Sequence, residues 1–227
     1  MYSNWVKEAT VDFVKLLQSI EGGIYEVVAW AILFPKTILT TIFKPSWGTN
    51  YIDAEWEKKE DERFNEFLSP GLLWLLVSIL QILFRDPILT AAELFRGMPY
   101  LPAFIESIKG LKAESLLAIK VLFLMVYPFI YLVWMEWINK TPIQKSTLRR
   151  NFQIQCYALA PAQFLGIVFP LLGFLFIWFY EVFVFRSEFK TSWLKAIWHG
   201  IAPQILLIVA FLAIAFFAGF IQGFTGG

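Results

Sequence analysis

The sequence is poor in the residues from which most catalytic centres are built. It holds one cysteine, Cys156, so a disulfide framework and a cysteine-based metal site are both excluded within one chain. It holds one histidine, His199, which excludes multi-histidine metal sites and leaves no triad without a placed serine and acid. No serine lies in a recognisable nucleophile motif, and no glycine loop of the phosphate-binding type is present. Neither an enzyme nor a cofactor is expected. Charge is also scarce: 16% of residues are charged, against about 25% in a soluble domain. The net charge of +1 gives no long-range field to draw nucleic acid. The first 23 residues carry Lys7, Glu8, Asp12, Lys15 and Glu21 and lack a continuous apolar region, so they do not read as a cleavable signal peptide.

What is abundant points to a bilayer. Of the 227 residues 58% are hydrophobic, with 24 Phe and 10 Trp, more aromatic surface than a soluble core of this size easily buries. A membrane-crossing helix needs about 20 mostly apolar residues. Five stretches qualify: residues 67–84, stopped by Arg85-Asp86-Pro87; 115–137; 152–168, after Arg149-Arg150; 170–185, ending at Arg186; and 201–221. The third and fourth are nearly continuous, which predicts a tight hairpin at Phe169–Pro170. Pro70, Pro128, Pro161 and Pro203 fall within or at the ends of these spans, where neighbouring helices can satisfy the freed backbone groups. The expected fold is an all-α polytopic transmembrane helix bundle of about five spans, residues 67–227, preceded by an amphipathic and charged arm, residues 1–66.

In that arm Val11, Val14 and Leu17 share a stripe from which Asp12, Lys15 and Gln18 are excluded, which predicts an amphipathic helix broken at Gly22-Gly23. Residues 24–43, with Glu26 and Pro35-Lys36, read as an interfacial or re-entrant segment, a sixth span being the rival. The charge run 53–66 reads as a solvated helix or linker, with contact to a basic partner as the sharper reading. In the loop 85–114, residues 87–95 suggest a helix on the outer surface. With five spans, fourteen of nineteen basic residues fall on one side and four on the other, Lys120 lying within a span. The basic side is cytoplasmic by the positive-inside rule, which places the N-terminus in the cytoplasm and the C-terminus outside.

Ionisable residues within spans are costly and become functional candidates. Glu181 and Glu136 lie toward the cytoplasmic ends of the fourth and second spans, within expected reach of Arg149, Arg150 or His199. Such a cluster serves either a proton or cation path or an interfacial salt-bridge belt. Lys120 is placed to snorkel to the headgroups. Gln155 and Gln163, eight apart on the third span, share a face, and read as interhelical glue or, more sharply, as a substrate path. Gly219 and Gly223 form a weak small-xxx-small spacing.

Several segments resemble the Yip family of Ypt/Rab-interacting membrane proteins, its divergent prokaryotic members above all. ILFPKTILTTIFKPS (32–46) is similar to the proline-punctuated segment before the first span, and EFLSPGLLWLLVSIL (66–80) to that span. CYALAPAQFLGIVFPLLGFLFIWFYEVFVF (156–185) is similar to the third and fourth spans, and SWLKAIWHGIAPQILLIVAFL (192–212) to the lead into the last. The resemblance covers residues 30–222. It implies five spans, a cytoplasmic N-terminus and a short external C-terminus, in a protein that organises membrane or scaffolds partners. The long N-terminal region and polar signatures of the eukaryotic members are absent, so binding of a Rab-type GTPase is not expected. The alternatives are a small permease or channel subunit moving an ion or solute, and a lipid-handling protein. The expected partners are the lipid bilayer and either further copies of the chain or other membrane proteins. The expected location is a membrane crossed several times, the plasma membrane for a prokaryotic chain.

Overall fold

Long apolar runs separated by charged or proline-bearing stops fold as helices, because in hydrocarbon only a helix satisfies its own backbone groups. The computed structural model describes residues 2–85, 112–140 and 142–225, and every regular element among them is helical. They are α1 (Tyr2–Phe43), α2 (Trp47–Glu57), a 3-10 turn at Glu60–Glu62, α3 (Pro70–Phe84), α4 (Ala113–Asn139), α5 (Lys145–Val168), α6 (Pro170–Phe189) and α7 (Trp193–Thr225). The surface segment expected at 87–95 lies outside the described residues. The spacing Gly219/Gly223 falls in α7 beyond the described side chains.

Among the described residues four helical stretches are long and apolar enough to cross a membrane: Gln18–Phe43, Glu114–Asn139, Pro170–Phe189 and Trp193–Ala210. The second and fourth expected spans lie within two of them, and the fifth, expected at 201–221, overlaps the last over residues 201–210. The first expected span is the 15-residue α3, whose apolar length is about 22 Å at the helical rise. The third is α5, long enough at 24 residues but polar over its first two turns.

The arm departs from its sequence reading. Gly22-Gly23 does not break the helix; α1 runs unbroken for 42 residues through both glycines and through Pro35. Two interior glycines cost about 1 kcal/mol each, a cost that a helix of 42 residues carries without breaking. Gln18–Phe43, read as interfacial, is among the four apolar stretches of crossing length. Its charge is accommodated: Lys36 Nζ donates to the Glu66 carbonyl at 2.9 Å and lies 4.2 Å above the Phe67 ring. The Thr37 hydroxyl accepts from the Leu68 amide at 3.1 Å, tying α1 to the start of α3.

Helices α3 to α7 alternate in direction. Arg85 at the end of α3 reaches the Ile167 carbonyl, Asn151 meets Glu136, and Gly173 packs on Gly166 across the α5–α6 hairpin. Gly200 sits against Val182, and Tyr131 Oη donates to the Gly200 carbonyl at 2.9 Å. The hairpin turns on the single residue Phe169, as expected. Helix α1 runs antiparallel to α5: Phe34 meets Phe164 at one end, while Thr41 faces Tyr157 and Ala158 at the other. The core is built on Tyr131, Tyr157, Tyr180, Phe185, Leu73 and Met135, all buried. Outside it the bundle shows an apolar girdle, with Leu122 at 70% and Leu194 at 80% exposure, larger in extent than a water-soluble surface carries.

Candidate functional site

Two polar layers are built at the end of the bundle where α5 begins and α6 ends. The outer one is ionic. Arg150, on the first turns of α5, presents its guanidinium to Asp53 of α2 at 2.6 and 2.9 Å and to both carboxylate oxygens of Glu188 near the end of α6. A planar guanidinium can hold two carboxylates at once, so one side chain joins α2, α5 and α6. Trp56 Nε1 donates to Gln153 Oε1 at 2.8 Å, and Arg149 lies 4.0 Å from Glu60. Glu55 is buried in this layer. It accepts from Lys58 Nζ and from the Phe64 amide, both at 2.6 Å. Its burial opposes ionisation, but these hydrogen bonds outweigh that and hold its carboxyl below the usual value.

The inner layer lies among the spans. Asn151 Nδ2 donates to Glu136 Oε1 at 2.7 Å. One turn further into α5, Gln155 Nε2 points at Met135 Sδ at 3.0 Å and at Glu181 Oε2 at 3.4 Å. Glu181 is fully buried, and its second oxygen has no hydrogen-bond partner. Two turns beyond Gln155, Gln163 is buried with both amide atoms unpartnered; so is Gln204 on α7. Gln155 and Gln163 are thus both turned into the bundle, as their spacing predicts.

The expected meeting of Glu136 and Glu181 with Arg149, Arg150 or His199 does not occur. Arg150 is taken by Asp53 and Glu188, and Arg149 faces Glu60. His199 stands among rings, 6.2 Å from Trp134 and 5.9 Å from Phe185. Glu136 and Glu181 instead find the side-chain amides of α5, which supply hydrogen bonds without charge. Among the described residues no cluster of three or more metal-ligating side chains occurs.

Sequence reasoning missed Glu55, Asn151 and Gln204. Glu55 carried a readable signal: Gly48, Ile52 and Glu55 fall on one face of α2, and that face is buried against α5. Its place in a charge run concealed this. The Arg150 link spans 97 residues to Asp53, and no spacing rule foretells it. Compared with known proteins, the chain matches no family model, no curated protein and no solved structure.

Proposed function

We propose that this is a non-enzymatic integral membrane protein that organises membrane or scaffolds partners, and that it crosses the bilayer six times, through α1 and α3 to α7. Between Arg150 and Val168, α5 rises about 27 Å, close to the thickness of a hydrocarbon core. Lys120 and Glu26 lie at depths near the hairpin tip when the helical rise is counted along α4 and α1 from their contacts with the bundle. Helix α1 supports a crossing because it runs along α5 instead of lying across the bundle end. Helices α3 to α7 keep the alternation that the Yip resemblance implies; α1 adds a sixth crossing and moves the N-terminus to the side of the C-terminus.

The observation that supports the scaffold reading is the filling of the interior among the described residues. Wholly buried Tyr131, Gln155, Tyr157 and Glu181 fill the space between helices that touch at Gly166–Gly173 and Gly200–Val182. The test is reconstitution of the full chain in liposomes. No ion or proton flux above that of empty vesicles is expected, together with cross-linked oligomers or partner complexes in native membranes.

A permease or channel subunit is the second reading, favoured by one observation: Glu181 is buried with an unpartnered oxygen and meets no cation among the described residues. Flux that disappears in Glu181→Gln establishes this reading in place of the first. Flux that persists in that variant removes Glu181 from any path.

A further inference from the structure

The turn between α6 and α7 carries three cations. Arg186 lies in the last turn of α6, Lys190 ends that helix, and Lys195 lies in the first turn of α7. The one carboxylate between residues 186 and 199, Glu188, is taken: both of its oxygens accept from Arg150. We propose that this turn binds the headgroup of an anionic phospholipid, from the leaflet on the side of the ionic layer.

Arg186 carries the argument. Its guanidinium carbon stands 3.6 Å from the centroid of the Trp193 ring, and Phe183 meets that ring edge-on at 5.6 Å. Stacking on a held ring fixes the plane of the guanidinium and leaves its N–H groups to find acceptors elsewhere. They have not found them: Nη1 is buried without a hydrogen-bond partner, and no ion pair holds the side chain among the described residues. An arginine that capped α6 would donate to the last carbonyls of that helix, and Nη1 donates to nothing. The side chain is only half-buried, so the fork can be reached from the surface. A phosphate group is the acceptor that a fixed guanidinium fork suits, and Lys190 and Lys195, both exposed, add point charge beside it.

Depth selects a lipid as the source of that phosphate. Arg186 precedes Glu188 by two residues, about 3 Å along the helix, so it stands at the inner edge of the ionic layer. Gly200 packs against Glu181 and Val182. Counted back from there along the antiparallel helices, Lys195 comes level with Arg186. Both cations therefore lie where the apolar girdle gives way to the ionic layer, the level of headgroup phosphates. Beside them Trp193, Leu194 and Trp198 are exposed, an apolar and aromatic surface for the glycerol and acyl chains. A free phosphate would use none of that surface. The proposal rests on the membrane reading above, and it holds equally for five crossings or six.

The test is native mass spectrometry of the full chain, released from detergent that holds equal amounts of phosphatidylglycerol and phosphatidylcholine with the same acyl chains. The wild type is expected to retain one phosphatidylglycerol per chain in preference to phosphatidylcholine, and to gain Tm with the anionic lipid only. Arg186→Gln/Lys195→Gln is expected to reduce that preference about tenfold. Lys140→Gln/Lys145→Gln removes the same charge from the exposed α4–α5 turn on the same face, and is expected to bind as the wild type does. Lys190→Gln/Lys195→Gln leaves the stack of Arg186 on Trp193 intact. Weakened retention in that variant, with the lipid-free Tm unchanged, separates lost binding from lost folding. The proposal is overturned if the wild type retains the two lipids equally, or if the variants of the two turns lose the preference alike, which is the behaviour of diffuse attraction. It is also overturned if inorganic phosphate raises Tm as phosphatidylglycerol does, since the lipid is then not the ligand. Equal retention of both lipids leaves the membrane reading standing, whereas a chain recovered outside the membrane fraction removes that reading as well.

Discussion

Glu55 is 1% exposed and gathers the Lys58 ammonium and the Phe64 amide on opposite oxygens. Phe64 adopts a left-handed conformation at φ 59°, unusual for an aromatic residue, and Glu55 is the group that holds its amide there. The pKa of Glu55 is lowered on folding, so the stability that it contributes is fully present above its unfolded value, near 4.5, and is lost as pH falls through the lower folded value. The segment from Lys58 to Phe64 is therefore expected to become protease-sensitive below about pH 4.5 in the wild type. Glu55→Gln is expected to show that sensitivity already at pH 7, with a loss of about 1–2 kcal/mol and no further acid step. Limited proteolysis across a pH series checks both; an unchanged acid step in Glu55→Gln would assign it to another carboxylate. Glu181 is the converse case. It is buried beside an amide instead of a cation, so no described residue would compensate a charge on it. Glu181→Gln keeps the shape and the hydrogen bond to Gln155, and is expected to leave thermal stability level or raise it, whereas Glu181→Ala is expected to cost about 2–4 kcal/mol through the cavity left behind.

Among the elements, the α5–α6 hairpin depends on one glycine more than on its proline. A Cβ on Gly173 would stand 2.5 Å from Gly166 Cα and 2.7 Å from the Ala162 carbonyl, backbone atoms that cannot yield without separating the helices. A Cβ on Gly166 meets only Gly173 Cα, at 3.9 Å. Gly173→Ala is therefore expected to lower stability by about 1–3 kcal/mol or more, and Gly166→Ala to be near neutral, by thermal unfolding in one detergent. Equal effects would show that the two helices part more easily than their contact suggests. The hairpin was legible in sequence because two apolar runs shared no polar residue but met at a proline. The asymmetry of its glycines was not, since it depends on which glycine faces the partner's backbone. The same divide runs through the polar residues. Gln155 and Gln163 could be placed inside by their spacing alone, but that Glu136 and Glu181 find amides instead of Arg149, Arg150 or His199 depends on Asp53 and Glu188 having taken Arg150 first. Competition for one guanidinium among distant segments leaves no local trace.

For the whole molecule the open quantity is the side on which the chain begins, and α1 decides it. Its residues 18–43 are long and apolar enough to cross, and it runs antiparallel to α5. If it crosses, eleven basic residues lie on the side of α2 and the α4–α5 and α6–α7 loops, against six on the other, with Lys36 and Lys120 in the spans. The positive-inside rule is then still obeyed, so charge counting alone does not separate five crossings from six. Chemical labelling does. Cys156 is wholly buried, so a membrane-impermeant maleimide leaves the wild type unmarked and single cysteines can be introduced against a silent background. Asn50 and Ser192 are exposed on the side of the ionic layer, and Ser115 is exposed at the opposite end of the bundle. With six crossings, Asn50→Cys and Ser192→Cys are expected to label only in inside-out vesicles, and Ser115→Cys and Ser3→Cys only in right-side-out ones. Labelling of Ser3→Cys together with Asn50→Cys would put the N-terminus back in the cytoplasm, lay α1 along the interface and return the bundle to five crossings.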